Sequence, residues 1–394
     1  MAFTLATVAP AEEKHLRGRD PWRSIPTGAD VVRTAAGFEF VTYDSCVALL
    51  RHTGLGTGLR ELFESVGVTD EVMIRNAETS VNGAEGPDHM RLRAAIGSFL
   101  TPSRIEGLRS EVRVMIEDLL DRAGAAGDFD IVESVLRHIP ARFFALLLGV
   151  PLSDSDFITY VSDSVVKVFS MDPDTRDEVE AAQRESDDWV EKIVADGRED
   201  ADNLIGHLLR QQQAGSLTLD EVRNAISIML AASTETTQGL MVHIVAAFAD
   251  HPDQWDLVRA DPSLVPGAVI EVARWNPASI PTFRVALEDV DIDGIRIPQG
   301  AHAFAVVMAA NRDPKVFAAA DAFDVTRKAP RPPLNWSVGR HFCMGRMAAV
   351  MECEELIRAM SSRWRRIERV PLPTVREPEF FAELGPLRVR VTPA

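Results

Sequence analysis

Of the three cysteines in the chain, one stands in a setting that can do chemistry. Cys343 lies in Trp336-Ser337-Val338-Gly339-Arg340-His341-Phe342-Cys343-Met344-Gly345. Gly339 and Gly345 flank it, so the backbone can turn tightly and approach a flat partner closely. A helical pattern follows at once, from Arg346 to Trp364. The free N–H groups and positive dipole end of such a helix stabilise a thiolate. Arg340 and His341 stand beside the sulfur. These are the requirements for a cysteine held as an anionic iron ligand. A buried free thiol in a glycine-rich turn has the same composition, and at this point both readings stay open. Cys46 and Cys353 read as ordinary thiols. No pair has CxxC spacing, so a zinc ribbon and a disulfide framework are excluded.

A second candidate is a polar notch in an apolar helix. Thr218 and Glu221 have the spacing of a capping box. The pattern then runs without a breaker to Asp250, predicting one helix of about 33 residues, or ~50 Å. It is apolar nearly all round, so it should be buried through the middle of the fold. A purely structural helix does not explain Ser233-Thr234-Glu235-Thr236-Thr237-Gln238 within it.

The elements that must position these residues are mostly helical. Met90 to Leu100 reads as a short basic helix stopped before Pro102, Ile105 to Ala123 as a helix, and Phe129 to Leu148 as another. Polar helices continue to Arg198. Val290 to Ile297 alternates about an Asp293-Gly294 turn, alternation resumes from Ala301 to Ala305, and Leu387 to Val391 reads as a C-terminal strand. Asp313 to Val338 is a long irregular segment, usually functional in a compact domain, and it leads into Cys343. The expectation is a mainly α fold with a small antiparallel β part, one domain over residues 1–394 with 1–19 as an N-terminal extension.

Composition excludes some functions. The chain has 394 residues, is 46% hydrophobic and carries a net charge of −17. Such a charge repels nucleic-acid phosphates and anionic lipid, so no nucleic acid and no membrane are expected as partners. The N-terminus has no basic region of a secretory signal. The most apolar stretch, Ile226 to Ala249, contains the polar notch, which a bilayer would not tolerate. These features predict a soluble cytoplasmic protein.

The cysteine loop resembles the haem-binding signature of the cytochrome P450 superfamily, Phe-Gly-x-Gly-x-His-x-Cys-x-Gly. Gly339, His341, Cys343 and Gly345 match it, with Ala348 and Glu352 further on. Three more motifs fall in the family's order. Glu271-Val272-Ala273-Arg274 matches ExxR, Ala310-Asn311-Arg312-Asp313-Pro314 matches a strand-exit motif of bacterial members, and Ala232 to Thr237 matches the oxygen-binding part of the central helix. The resemblance covers roughly residue 20 to the C-terminus. It implies the P450 fold, with haem (heme b, Fe protoporphyrin IX) between the long central helix and the Cys-ligand loop.

The family then assigns roles. Cys343 is the haem-iron ligand. His89, Arg93, Arg284 and His341 match propionate contacts, although His89 and Arg93 alone would read as solvated residues. Glu235 and Thr236 resemble the catalytic acid–alcohol pair that handles protons near bound O2. Glu271 and Arg274 form a buried ion pair completed by Arg327, a structural network. The substrate pocket draws on Val66 to Gly86, Phe157 to Met171, Ile228, Ala231, Ala232, Ile280 to Phe283, Phe380 and Phe381. These are mostly apolar, implying a small apolar substrate.

Two positions depart from the family. Trp336-Ser337 replaces Phe-Gly, and the indole N–H of Trp336 would be within reach of the sulfur. Ser233 replaces the glycine that lets the central helix bulge, which puts ordinary hydroxylation in doubt. The implied activity is a haem-thiolate monooxygenase that hydroxylates, dealkylates or epoxidises its substrate in secondary metabolism or catabolism. Alternatives are an oxidative coupling or cross-linking enzyme, and a haem-binding protein docking a carrier or peptide without turnover. Electrons are expected from NAD(P)H through ferredoxin reductase and ferredoxin, and the protein is expected to be a monomer. Arg340 to Arg369 holds seven arginines against four glutamates. This reads either as a solvated helix end or as the docking face for an acidic ferredoxin.

Overall fold

The computed structural model describes residues 2–7, 25–124, 127–170, 172–279, 281–371 and 385–394. The helices that matter for the site are α1 (Gly86–Gly97), α2 (Arg109–Ala123), α3 (Leu219–Ser233), α4 (Glu235–Asp250), α5 (Val265–Trp275) and α6 (Arg346–Arg363). One large apolar core gathers residues from all six. No helix among the described residues is long and apolar enough to cross a membrane.

The strands are β1 (Leu5–Thr7), β2 (Val31–Thr34), β3 (Gly37–Phe40), β4 (Leu55–Gly56), β5 (Gly127–Asp130), β6 (Pro281–Ala286), β7 (Val290–Ile292), β8 (Ile295–Ile297), β9 (His302–Val306), β10 (Trp364–Arg369) and β11 (Arg388–Pro393). They form a sheet in the order β1-β2-β3-β9-β6-β4, a sheet β10-β11-β5 and the hairpin β7-β8. The hairpin turns at Asp293-Gly294 with φ of 50° and 94°, the left-handed pair that such a two-residue turn demands. The expected mainly α fold with small sheets is present, but the largest sheet is mixed rather than antiparallel. β3 pairs parallel with β9, setting Phe38 opposite Ala303. Alternation identifies a strand and its buried face; it carries no information on the direction of a partner far along the chain.

Two predicted helices are interrupted. Thr218 caps α3 as expected, with Glu221 N–H donating to Thr218 Oγ1 at 3.1 Å and Thr218 N–H to Glu221 Oε2 at 2.8 Å. The helix then breaks at Thr234 (φ −102°, ψ −60°) and restarts as α4. Ser233 Oγ donates back to Leu230 O at 3.3 Å, the local competition that makes serine and threonine poor helix interiors. The predicted helix Phe129–Leu148 starts instead as β5, passes a π-helical turn at Val132–Leu136, and becomes α-helical from His138. Phe129 is a strand residue because Val389 lies opposite it, a partner supplied by the C-terminus.

The irregular segment 313–338 has no ladder of its own, so its carbonyls must find partners elsewhere. Arg274, 1% exposed, supplies them. Its Nε and Nη2 donate to Glu271 Oε2 and Oε1, both at 2.8 Å. Its remaining hydrogens go to the carbonyls of Asn311 (3.0 Å), Ala320 (2.8 Å) and Ala322 (2.9 Å). Arg327 Nε donates to Glu271 Oε1 at 3.0 Å. Asn311 extends the clamp. Leu334 N–H donates to its Oδ1 at 2.8 Å, and its Nδ2 donates to Asn335 Oδ1 at 2.8 Å. Those two residues precede the cysteine loop directly.

Two measurable consequences follow from this clamp and its loop. Arg274→Ala takes two hydrogen bonds from the buried Glu271 carboxylate and leaves the Asn311 and Ala320 carbonyls without this donor, a loss of ~3–5 kcal/mol. The purified variant should carry no Soret absorbance; a normal band would refute the assignment. Ser337 has φ 60° and ψ −173°, a region that only glycine enters freely, and holding serine there costs ~1–3 kcal/mol. Ser337→Gly should raise stability by about 1 kcal/mol after the unfolded-state cost of glycine, read as a higher denaturation midpoint; a lower midpoint would show the serine to be unstrained.

Candidate functional site: the cysteine loop and its cavity

The cysteine loop is closed by its own backbone. Cys343 N–H donates to Trp336 O at 2.9 Å and Phe342 N–H to Gly339 O at 3.2 Å. Gly339 has φ +79°, a conformation that favours glycine, and a Cβ there would stand in tight contact 3.1 Å from Leu50 O. The loop ends at Gly345, the N-cap of α6. Burial pushes the Cys343 thiol above its ordinary range, opposed by the N–H groups of Gly345 and Arg346 and by the Arg93 and Arg346 charges. The Trp336 indole makes no hydrogen bond to the sulfur; its ring instead faces the Arg346 guanidinium, 5.1 Å from the centroid. The expected indole–sulfur bond is therefore replaced by a cation–π contact.

Cys343 opens onto a cavity with two lobes, of ≈ 400 and ≈ 300 Å³, which share Leu100, Met229, Ala232, Ser233, Thr236, Ser279, Cys343 and Gly345. The α3–α4 break lies on one side and the cysteine loop on the other. Of the predicted pocket residues, Phe169, Ile228, Ala232, Pro281, Thr282 and Phe283 line the larger lobe. Ala231 lines neither, and its carbonyl accepts from Ser162 Oγ at 3.3 Å. Ile280, Phe380 and Phe381, with Met171, lie outside the described residues. From Val66 to Gly86 only Val81 and Asn82 reach the cavity. Leu100, Met229 and Thr57 also line it, and no spacing in the sequence marks them.

Three predicted residues, Arg93, Arg284 and His341, line the larger lobe, and a fourth, His89, packs against His341. His89 is 1% exposed, and both its ring nitrogens lack a partner. Burial, with His341 and Arg93 adding to it, pushes its pKa down to about 4. The His89 and His341 rings meet at 4.3 Å between centroids, tilted by 42°. Arg284 is 5% exposed and donates to the Phe283 carbonyl at 2.7 Å; burial lowers its pKa to about 10. No carboxylate among the described residues pairs with it or with Arg93, which donates to Phe342 O. The sequence reading missed Glu85, whose Oε1 accepts from His341 Nε2 at 3.1 Å and whose Oε2 accepts from Arg340 Nε at 2.7 Å.

The acid–alcohol pair divides between two cavities. Thr236 lines both lobes beside Cys343. Glu235 lines neither. It faces a separate polar cavity of ≈ 270 Å³ with Asp130, Glu133, Arg137, Asp163 and Gln238. Burial, reinforced by Asp163, raises its pKa to about 8. Glu235 Oε2, Thr234 Oγ1 and Gln238 Oε1 are buried without protein partners.

The arginine-rich stretch does not form one free face. Arg340 pairs with Glu85, Arg363 with Asp121 and Arg369 with Asp250. Arg365 and Arg366 stand on β10, beyond the far end of the 18-residue α6 from the sulfur, a helix ~27 Å long.

Comparisons with known proteins identify the family and the fold. The family profile described as Cytochrome P450 matches residues 74–365. The chain is 34% identical to luteothin monooxygenase of Streptomyces thioluteus over 338 residues, 84% of this chain and 83% of that one. It is 32% identical to 6-deoxyerythronolide B hydroxylase of Saccharopolyspora erythraea over 371 residues, 91% and 87% of the two chains. The crystal structure of CalO2 superimposes with a TM-score of 0.88 at 24% identity, covering 98% of this chain and 99% of that one, a likeness of fold. The profile match and the two relatives place the chain in the cytochrome P450 family, whose members are haem-dependent oxidoreductases.

Proposed function

We propose that the protein is a monooxygenase that oxidises a small, largely apolar organic substrate, with Cys343 as the proximal haem ligand. The observation that carries this is the cavity itself. It has a sulfur at a helix N-terminus on one side and a threonine hydroxyl at a helix break on the other. Two arginines without carboxylate partners, the buried Arg284 and the half-buried Arg93, stand on its wall. A tetrapyrrole with two carboxylates fits that set, since buried carboxylates need cationic partners. His89, Arg93, Arg284 and His341 would hold the propionates. When bound, the haem supplies oxygen activation, which an electron-rich thiolate ligand favours.

The chain's own residues do the rest. Leu59, Leu62, Phe169 and Ile228 make the larger lobe apolar. That suits an apolar substrate, and the Streptomyces and Saccharopolyspora relatives support secondary metabolism as the setting. Thr236 presents a hydroxyl to the cavity. Glu235, protonated at neutral pH and facing the polar cavity behind it, is the group that carries a proton toward Thr236. Electrons come from NAD(P)H through a ferredoxin reductase and a ferredoxin. Of the arginine stretch, Arg346 is the member beside the sulfur, so docking centres on the loop rather than on Arg365 and Arg366. Ser233 spends its hydroxyl on the Leu230 carbonyl. No specific feature therefore favours the coupling or carrier-docking readings.

Two measurements test this. The reduced protein under CO should show the strongly red-shifted Soret band of thiolate ligation, and Cys343→His should abolish it; a wild type without that band would refute the reading. The second concerns Glu235, whose pKa rises from 4.5 to about 8 on folding. Between those values the folded state binds more protons than the unfolded one. Stability is then full below about pH 4.5 and falls as pH rises through about 8. Glu235→Gln removes that dependence. Its stability should gain on the wild type by roughly 2–4 kcal/mol between pH 5 and 9, measured in denaturant melts. A constant difference would mean that Glu235 ionises normally.

A further inference from the structure

We infer that Glu85 is a positioning residue for the propionate wall, holding Arg340 and His341 in place and trimming the wall's charge to match a dicarboxylate. The inference rests on the haem reading above.

Glu85 occupies the N-cap position of α1, with φ −126° and ψ 167°, yet its side chain makes no capping bond. An N-cap carboxylate ordinarily accepts from the N–H groups of the first turn. This one turns to the cysteine loop instead, taking Arg340 Nε at 2.7 Å and His341 Nε2 at 3.1 Å. A carboxylate only accepts, so the Nε2 of His341 must carry the proton. Burial raises the Glu85 pKa, but the His341 and Arg340 hydrogen bonds outweigh it and leave it below the usual range, so the group is anionic.

Arg340 is held at its other nitrogens as well. Nη1 donates to His52 O at 3.1 Å, and Nη2 donates to Leu55 O on β4. His341 in turn carries the ring of His89. One carboxylate thus joins the start of α1, the cysteine loop and the turn before β4. Arg93, Arg284 and Arg340 set against Glu85 leave a surplus of two positive charges before His341 is counted. That is the charge of a dicarboxylate with its sign reversed. Without Glu85 the surplus is three, and Arg340 loses the anchor of its Nε.

The test uses purified holoprotein. Haem transfer to excess apomyoglobin is followed by the Soret band, and the ferric–ferrous midpoint potential is measured by dye-coupled titration. Glu85→Gln should lose haem about tenfold faster than the wild type, the scale seen when a group that orients a cofactor ligand is removed. Arg340→Gln should do the same. The double variant should be no worse than the poorer single, because the two act through one contact. Glu85→Asp should restore much of the retention. The midpoint of Glu85→Gln should rise, since a negative charge near the cofactor is gone, and a purely scaffolding role would leave it unmoved. Unchanged haem loss, additive losses in the double variant, or an unchanged potential would each overturn the inference. Should Glu85→Gln fail to fold, Glu85→Asp and Arg340→Gln decide it by the same readings. A wild type lacking the thiolate band would sink the haem reading itself. A normal wild type with an indistinguishable Glu85→Gln would sink this inference alone.

Discussion

A guanidinium buried to 1% exposure tolerates no idle donor, and Arg274 has none. Two of its five hydrogens meet Glu271, and three meet carbonyls of a stretch that forms no helix or sheet. The ion pair cancels the charge that burial would otherwise penalise, and the carbonyl bonds turn an irregular segment into a rigid one. Asn311 then ties the segment to Leu334 and Asn335, and from there the chain enters the cysteine loop. The placement of the sulfur depends on an ion pair made far earlier in the chain. This is why the network belongs to the functional description although it touches no reacting atom.

The break at Thr234 gives the central helix pair its second consequence. Neighbouring residues on a helix point about 100° apart, with 3.6 residues per turn. Glu235 and Thr236 therefore face different compartments, one polar and one containing the sulfur. Both carboxyls near this chemistry are held neutral by burial. Glu235 is one. The other is Glu352, which borders the smaller lobe with an unpartnered Oε2 and a pKa pushed well above the ordinary range. A thiolate at Cys343 would thus not be opposed by these two carboxyls, and the ionised carboxylate of the loop, Glu85, is spent on Arg340 and His341.

Much of this was legible in the chain. The cysteine loop, ExxR, the capping box at Thr218 and the Asp293-Gly294 turn are all short spacings, and each works through contacts between near neighbours. The order of the motifs pointed to the fold. What was not legible depends on partners distant in sequence. Phe129 lies in a strand because the C-terminus returns beside it. Glu85 carries no role of its own within the predicted pocket stretch Val66 to Gly86, and only the approach of Arg340 and His341 gives it one. Trp336 looked placed to reach the sulfur, yet Arg346 takes its ring instead. The arginine stretch looked like one face until the acidic residues of α2, α4 and the α1 start were found beside it.

The order of residues, read with the family resemblance, picked out one sulfur, one hydroxyl and one ion pair, because covalent neighbours and helical periodicity act over a few residues. It could not say which cavity a side chain faces, which charges remain unpaired, or which carboxyls stay protonated. Those depend on burial and on electrostatic fields that exist only once distant segments exclude water together. The chain names the chemistry; the folded cavity sets the charge and proton state in which that chemistry can run.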